Sequence, residues 1–173
     1  MTETTPYDAD RARFTRRALA RLVLCDHAVD VADGAAGLVA TENDPDTGPG
    51  GRASQAFQLI ELAERALASA VIYEHERGSS WSEIGQYLGI GPAEAEGRFA
   101  AHLEGWNTAF EVPYRLDETG RKRIPQLATA AYDPAWACEK LDRWASLQRI
   151  GIDAVSSGLV MAAPEEELPP VTP

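Results

Sequence analysis

Residues 78–106, GSSWSEIGQYLGIGPAEAEGRFAAHLEGW, carry two helical patterns joined by a glycine-bounded corner, and this constrains the fold more than any other stretch. Ser80 reads as an N-cap whose hydroxyl accepts an orphan backbone N–H, and Glu83 three residues on completes a capping box. A helix therefore starts at Trp81. Trp81, Ile84 and Leu88 repeat on one face, with Gly85 small where a partner helix is expected to come close. Gly89 can take the left-handed conformation that ends the helix. Pro92 then sits in the first turn of a second helix, where no N–H is needed, and Ala95, Phe99 and Leu103 continue an apolar face. The outline is a helix-turn-helix at 80–105.

The opening Ser80 to Gly85, the turn Leu88 to Ile90 and the pair Arg98 and Phe99 resemble the helix-turn-helix of actinobacterial regulatory proteins, akin to sigma-factor region 4. The resemblance spans about a sixth of the chain without a gap. It implies a three-helix unit whose second motif helix enters the major groove and reads base edges with its first residues. Family members usually carry Ser, Arg and Gln there, whereas this chain has Gly91, Pro92 and Ala93, which lack side-chain donors and acceptors. Between Ser79 and Gly105 the acids Glu83, Glu94, Glu96 and Glu104 face the single cation Arg98. Phosphate contact is chiefly Lys and Arg work, so binding to a duplex requires cations from elsewhere.

Two segments can supply them. Arg11, Arg13, Arg16, Arg17 and Arg21 follow one another on a helical pattern with no acid among them, and project from its polar side. The alternative is a solvated helix face balancing an acidic molecule, since charged helix faces are ordinary. Beyond Trp106, Phe110, Val112, Tyr114 and Leu116 alternate, a turn follows at Asp117 to Gly120, and then come Arg121, Lys122 and Arg123. This reads as a short β-hairpin wing carrying Arg115, Arg121, Lys122 and Arg123, or as an irregular loop, since Pro113 and Pro125 weaken strand pairing. The expected DNA-binding residues are thus Ser80, Gln86, Gly91, Arg98, Arg13, Arg16, Arg17, Arg115, Arg121, Lys122 and Arg123.

The remaining pattern is helical. Residues 1–7 are expected to fray, and Asp8 or Asp10 to open a helix through Phe14, Ala18, Leu22, Cys25, Val29, Ala32, Ala36 and Val39, with Gly34 and Gly37 inviting a bend. The run 41–51, TENDPDTGPGG, reads as a flexible connector. A second long helix is predicted from Ser54 to Arg77 with a core stripe of Ala56, Ile60, Ala63, Leu67 and Ala70, pairing with the first as a hairpin. Asp133 and Pro134 start a C-terminal helix whose face is Ala137, Leu141, Trp144 and Leu147 or Gln148. Residues 151–173 are expected to be a largely disordered acidic, proline-rich tail.

A chain of 173 residues with 45% hydrophobic content supports one sizeable core, so the prediction is a mainly all-α single domain over 8–150. A net charge of −11 disfavours a general nucleic-acid coat protein. Cys25 and Cys138 have no partner at metal-ligand spacing and read as free, partly buried thiols in a reducing compartment. No apolar leader or membrane-length segment stands out, so a cytoplasmic protein with no membrane partner is expected.

His27, His75 and His102 fall on three predicted helices without zinc spacing, and no nucleophile or phosphate-cradling motif is present. Asp26, Asp30, Asp33, Glu61 and Glu64 raise a minor enzymatic alternative, carboxylates across a helix pair holding magnesium as in all-α nucleotide pyrophosphohydrolases. The expectation is a non-enzyme with no catalytic residue, metal or cofactor. The leading functional reading is a DNA-binding transcriptional regulator, homodimeric on double-stranded DNA. The alternative is a protein–protein interaction module whose degenerate acidic helix-turn-helix binds a sigma factor, a polymerase subunit or another regulator.

Overall fold

Thr15 divides what the apolar period joins. In the computed structural model, which describes residues 5–42 and 44–163, the expected first helix is two helices, α1 (Pro6–Ala12) and α2 (Arg16–Val39). Thr15 is extended and its side chain caps the Ala18 N–H, so α2 makes a fresh start with its own cap. Thr5 and Asp8 form a capping box on α1, so residues 5–7 are structured where fraying was expected. The remainder of that expectation, residues 1–4, lies outside the described residues.

Helix α2 runs unbroken through Gly34 and Gly37 and pairs with α3 (Gly51–Glu76) as an antiparallel hairpin. The expected bend is missing because Gly34 serves the pairing: a methyl group there would lie 3.2 Å from the Leu62 side chain. The connector contains a 3-10 turn, Asp44–Asp46, over which Arg52 bonds the carbonyls of Gly37 and Ala40 and the carboxylate of Asp44.

Of the predicted α3 core stripe, Leu67 and Ala70 are half-buried and none of the five residues is fully buried. Ala68, Ser69 and Val71 are buried, but Ala56, Ile60 and Ala63 are exposed, with Ile60 at 56%. Leu59 and Leu62, on the opposite side of the helix, face α2 instead. Val39 and Ala36, the last expected core positions of α2, are also exposed.

After α3 come α4 (Trp81–Leu88) and α5 (Pro92–Glu111), the latter running past the end of the expected motif at residue 105. Strands β1 (Tyr114–Leu116) and β2 (Arg123–Pro125) pair antiparallel with Arg115 opposite Ile124, so the hairpin forms. Pro125 is tolerated because the ladder ends there. Then follow α6 (Thr129–Tyr132) and α7 (Pro134–Leu147), where Asp133 caps the Trp136 N–H as expected. In α7 Ala137 and Leu141 are core, but Ala145 completes the buried face and Leu147 is exposed.

Residues 151–163 correct the expected tail. Asp142 accepts the N–H groups of Val155 and Ser156, Val160 O accepts from Thr15, and Ala162 N–H donates to Arg13 O. Phe14 and Met161 form a β-bridge, so this segment straps the α1–α2 junction. The rest of the predicted tail, 164–173, lies outside the described residues.

Two hydrophobic clusters result. The larger joins Leu19, Leu22 and Val23 of α2 to Trp106, Leu127, Ala131, Tyr132 and Leu141. The smaller joins Val71 of α3, Ile84 of α4 and Phe99 of α5, with Leu67, Trp81 and Leu88 at its edge. Helix α5 spans both, its first half in the small cluster and its second half in the large one.

Candidate functional site

The corner between α4 and α5 is built as its residues imply. Ser80 donates from its backbone N–H and hydroxyl to Glu83 at 2.8 Å each, and its hydroxyl accepts the Glu83 N–H. The Ser80 N–H holds the Glu83 carboxyl below the usual carboxylate range. Gly89 adopts φ 71°, and Ile90 N–H returns to Gly85 O, closing the helix end. Gly85 is required for a reason other than the one expected. A methyl group on it would lie 2.8 Å from the Ile90 carbonyl oxygen, so the backbone of the turn itself presses on it, not a partner helix.

The expected site residues do not converge. Gly91 caps α5 with no side-chain bond, and Gln86 on α4 is exposed. Arg98 is exposed, its guanidinium 5.1 Å from the Phe99 ring centre. The outward face of α5 presents Glu94, Gly97, Arg98, Ala101, Glu104 and Gly105, all exposed.

On α2, Arg16 reaches the other end of α5. Arg16 bonds Glu76 at 2.7 Å and Asn107 at 2.6 Å and lies over the Phe110 ring. Asn107 is fifteen residues from Pro92, about 22 Å along the axis. Arg13 pairs with Asp10, and Arg17 borders a shallow pocket with Arg21 and Tyr73. Arg11, on α1, pairs with Asp8 and donates to Tyr132 O. Much of this positive run is therefore engaged with carboxylates and carbonyls of its own chain.

The hairpin divides its cations similarly. Asp117 accepts from Thr119 Oγ1 and from the N–H groups of Arg121 and Lys122, and the Lys122 N–H holds its carboxyl below the usual range. That fixes the tip and leaves the Arg121 and Lys122 side chains exposed, with Arg115 exposed on β1. Arg123 instead bonds Asp8 at 3.2 Å and stacks 4.0 Å from the Tyr114 ring centre, tying the hairpin to α1.

Two of the five carboxylates of the magnesium alternative have other partners. Asp26 pairs with Lys140 at 2.6 Å, and Asp33 accepts from Trp144 Nε1 at 3.0 Å. Among the described residues no three His, Cys, Asp or Glu side chains gather to hold a metal. His27 bonds Ser69 at 2.7 Å and burial lowers its pKa, while His75 lies against Trp81 and His102 against Phe99. Cys25 and Cys138 are free and half-buried, and burial pushes the Cys138 thiol up to about 11.

Sequence reasoning missed a groove of about 640 Å³ between α3 and α4, floored by Leu67, Ala70 and Leu88 and rimmed by Glu74, Glu83 and Tyr87. The signal for it is the apolar spacing of α3, which extends further along the helix than its own core covers. Among the described residues no helix is long and apolar enough to cross a membrane. Comparison with protein-family models, with curated proteins and with solved structures finds no match to this chain.

Proposed function

We propose that this chain is a helix-turn-helix module that docks onto a protein of the transcription machinery, such as a polymerase subunit, a sigma factor or another regulator. The observation that carries this reading is the outward face of α5, where two glutamates, two glycines, one alanine and one arginine stand in place of groove-reading donors. A face of that composition repels phosphate and leaves a protein as the better-matched partner of the module. Arg16 of α2 lies at the far end of α5, paired with Glu76 and bonded to Asn107, so it does not offset it.

A second reading, DNA binding by this module as a homodimer, is favoured by one observation: Arg115, Arg121 and Lys122 are exposed on a formed hairpin. One experiment separates the two. In gel shifts against mixed-sequence duplex fragments at about 50 and 200 mM salt, docking predicts no retardation at micromolar protein. A shift that weakens steeply with salt and disappears in the Arg121→Ala/Lys122→Ala variant would remove the docking reading.

A further inference from the structure

The bare part of α3 and the α3–α4 groove are one surface. Ala56, Ile60, Ala63, Leu67 and Ala70 follow at steps of four, three, four and three, the a/d spacing of a coiled-coil seam. Small and large residues alternate along it, which leaves holes between knobs for a second helix. Its C-terminal half floors the groove beside α4. Its N-terminal half is uncovered, with Phe57 63% exposed alongside, and at the groove's far rim Tyr87 is 91% exposed. From Ala56 to Ala70 the seam runs about 21 Å, four turns of helix.

The edges of the surface are acidic. Glu64 follows Ile60 by one turn and stands between the seam and the cleft that it lines with Arg65, Glu61 lies further round the helix, and Glu83 lines the groove from α4. The one cation lining the groove, Arg77, is paired with Glu74 at 2.9 Å. Arg65 lies round the helix, in the cleft with His27 and His102. A second copy of this chain would bring the same acidic edges together, whereas a basic helix meets them with opposite charge.

We propose that this seam and groove take one amphipathic helix of another protein, apolar along one side and flanked by Lys or Arg. The inference rests on the docking reading and names its partner class and place: the helix lies along α3 and reaches α4, leaving the outward face of α5 uncovered.

The test uses the full chain and a fluorescein-labelled 18-residue synthetic helix, leucine on one side and lysine and arginine on the other, followed by anisotropy at about 150 mM salt. It should bind at least about tenfold tighter than a scrambled peptide of the same composition or a leucine–glutamate helix. Ile60→Ser should weaken binding about tenfold, and Glu64→Lys several-fold, with unchanged circular dichroism because both side chains are exposed. Glu94→Lys/Glu96→Lys on α5 should leave it unchanged. Equal binding of the scrambled peptide, or indifference to Ile60→Ser, overturns the inference. Loss only in the α5 variant moves docking to α5, overturning the inference while sparing the docking reading, which the gel shift tests separately. Sedimentation velocity of the chain alone closes the remaining route, since a dimer that Ile60→Ser dissociates would assign the surface to a second copy and overturn the proposal.

Discussion

The two halves of α3 carry the same apolar stripe and meet opposite fates. Toward the C-terminus, Val71 is buried against Ile84 and Phe99, because α4 and α5 fold back over it. Toward the N-terminus, Ala56, Phe57, Ile60 and Ala63 continue the stripe into solvent, because the chain turns away at Gly78 before covering them. An apolar period therefore says that a helix face wants a cover. It does not say whether this chain provides one.

The contrast can be broken most forcefully at Phe99, which covers the C-terminal half. Phe99→Ala should cost about 4 kcal/mol, seen in urea unfolding and as early hydrogen exchange across α4 and α5. Gly85→Ala should cost about 2 kcal/mol through the clash with the Ile90 carbonyl, again localised to this unit by exchange.

Asp8 marks a third region that neither half touches. Thr5, Arg123 and Arg11 bond its carboxylate and hold its pKa well below the ordinary value of about 3.9. Its contribution is present above pH about 4 and is lost as pH falls from there toward the folded-state value. Asp8→Asn should thus lower stability by about 1.5 kcal/mol at neutral pH, and melts of the two proteins should converge in acid. A gap unchanged at low pH would contradict this.

Ser80→Ala should cost about 1 kcal/mol by removing the α4 cap. The smallest effect sharpens the comparison best: Ile60→Ser should change stability by no more than about 0.5 kcal/mol, since among the described residues nothing covers it. A loss comparable to that of Phe99→Ala would mean that the N-terminal half is covered after all.

Legibility followed range. The caps at Ser80 and Asp133, the left-handed Gly89 and the Glu139–Arg143 pair at 2.9 Å lie within a few residues of their partners, so local chemistry states them directly. Thr15 escaped notice because the apolar period continues across it, and only the β-bridge of Phe14 to Met161 shows why the chain breaks there. The segment 151–163 read as tail because its bonds reach back to Asp142 and Thr15. The expected phosphate contacts at Arg16 and Arg123 read as available because Glu76 and Asp8 are distant in sequence from them.

By itself, the sequence determined a mainly helical protein in which a capped helix, a glycine-bounded corner and a second helix, acidic and poor in donors, follow one another. Helix caps, turns and apolar periods act over three to four residues, and such a range is written in neighbouring letters. Only the tertiary structure decided which arginines face their own carboxylates and which half of the α3 stripe stays bare. Those outcomes depend on which segments meet after the chain has turned, and that meeting is a property of the whole packed arrangement.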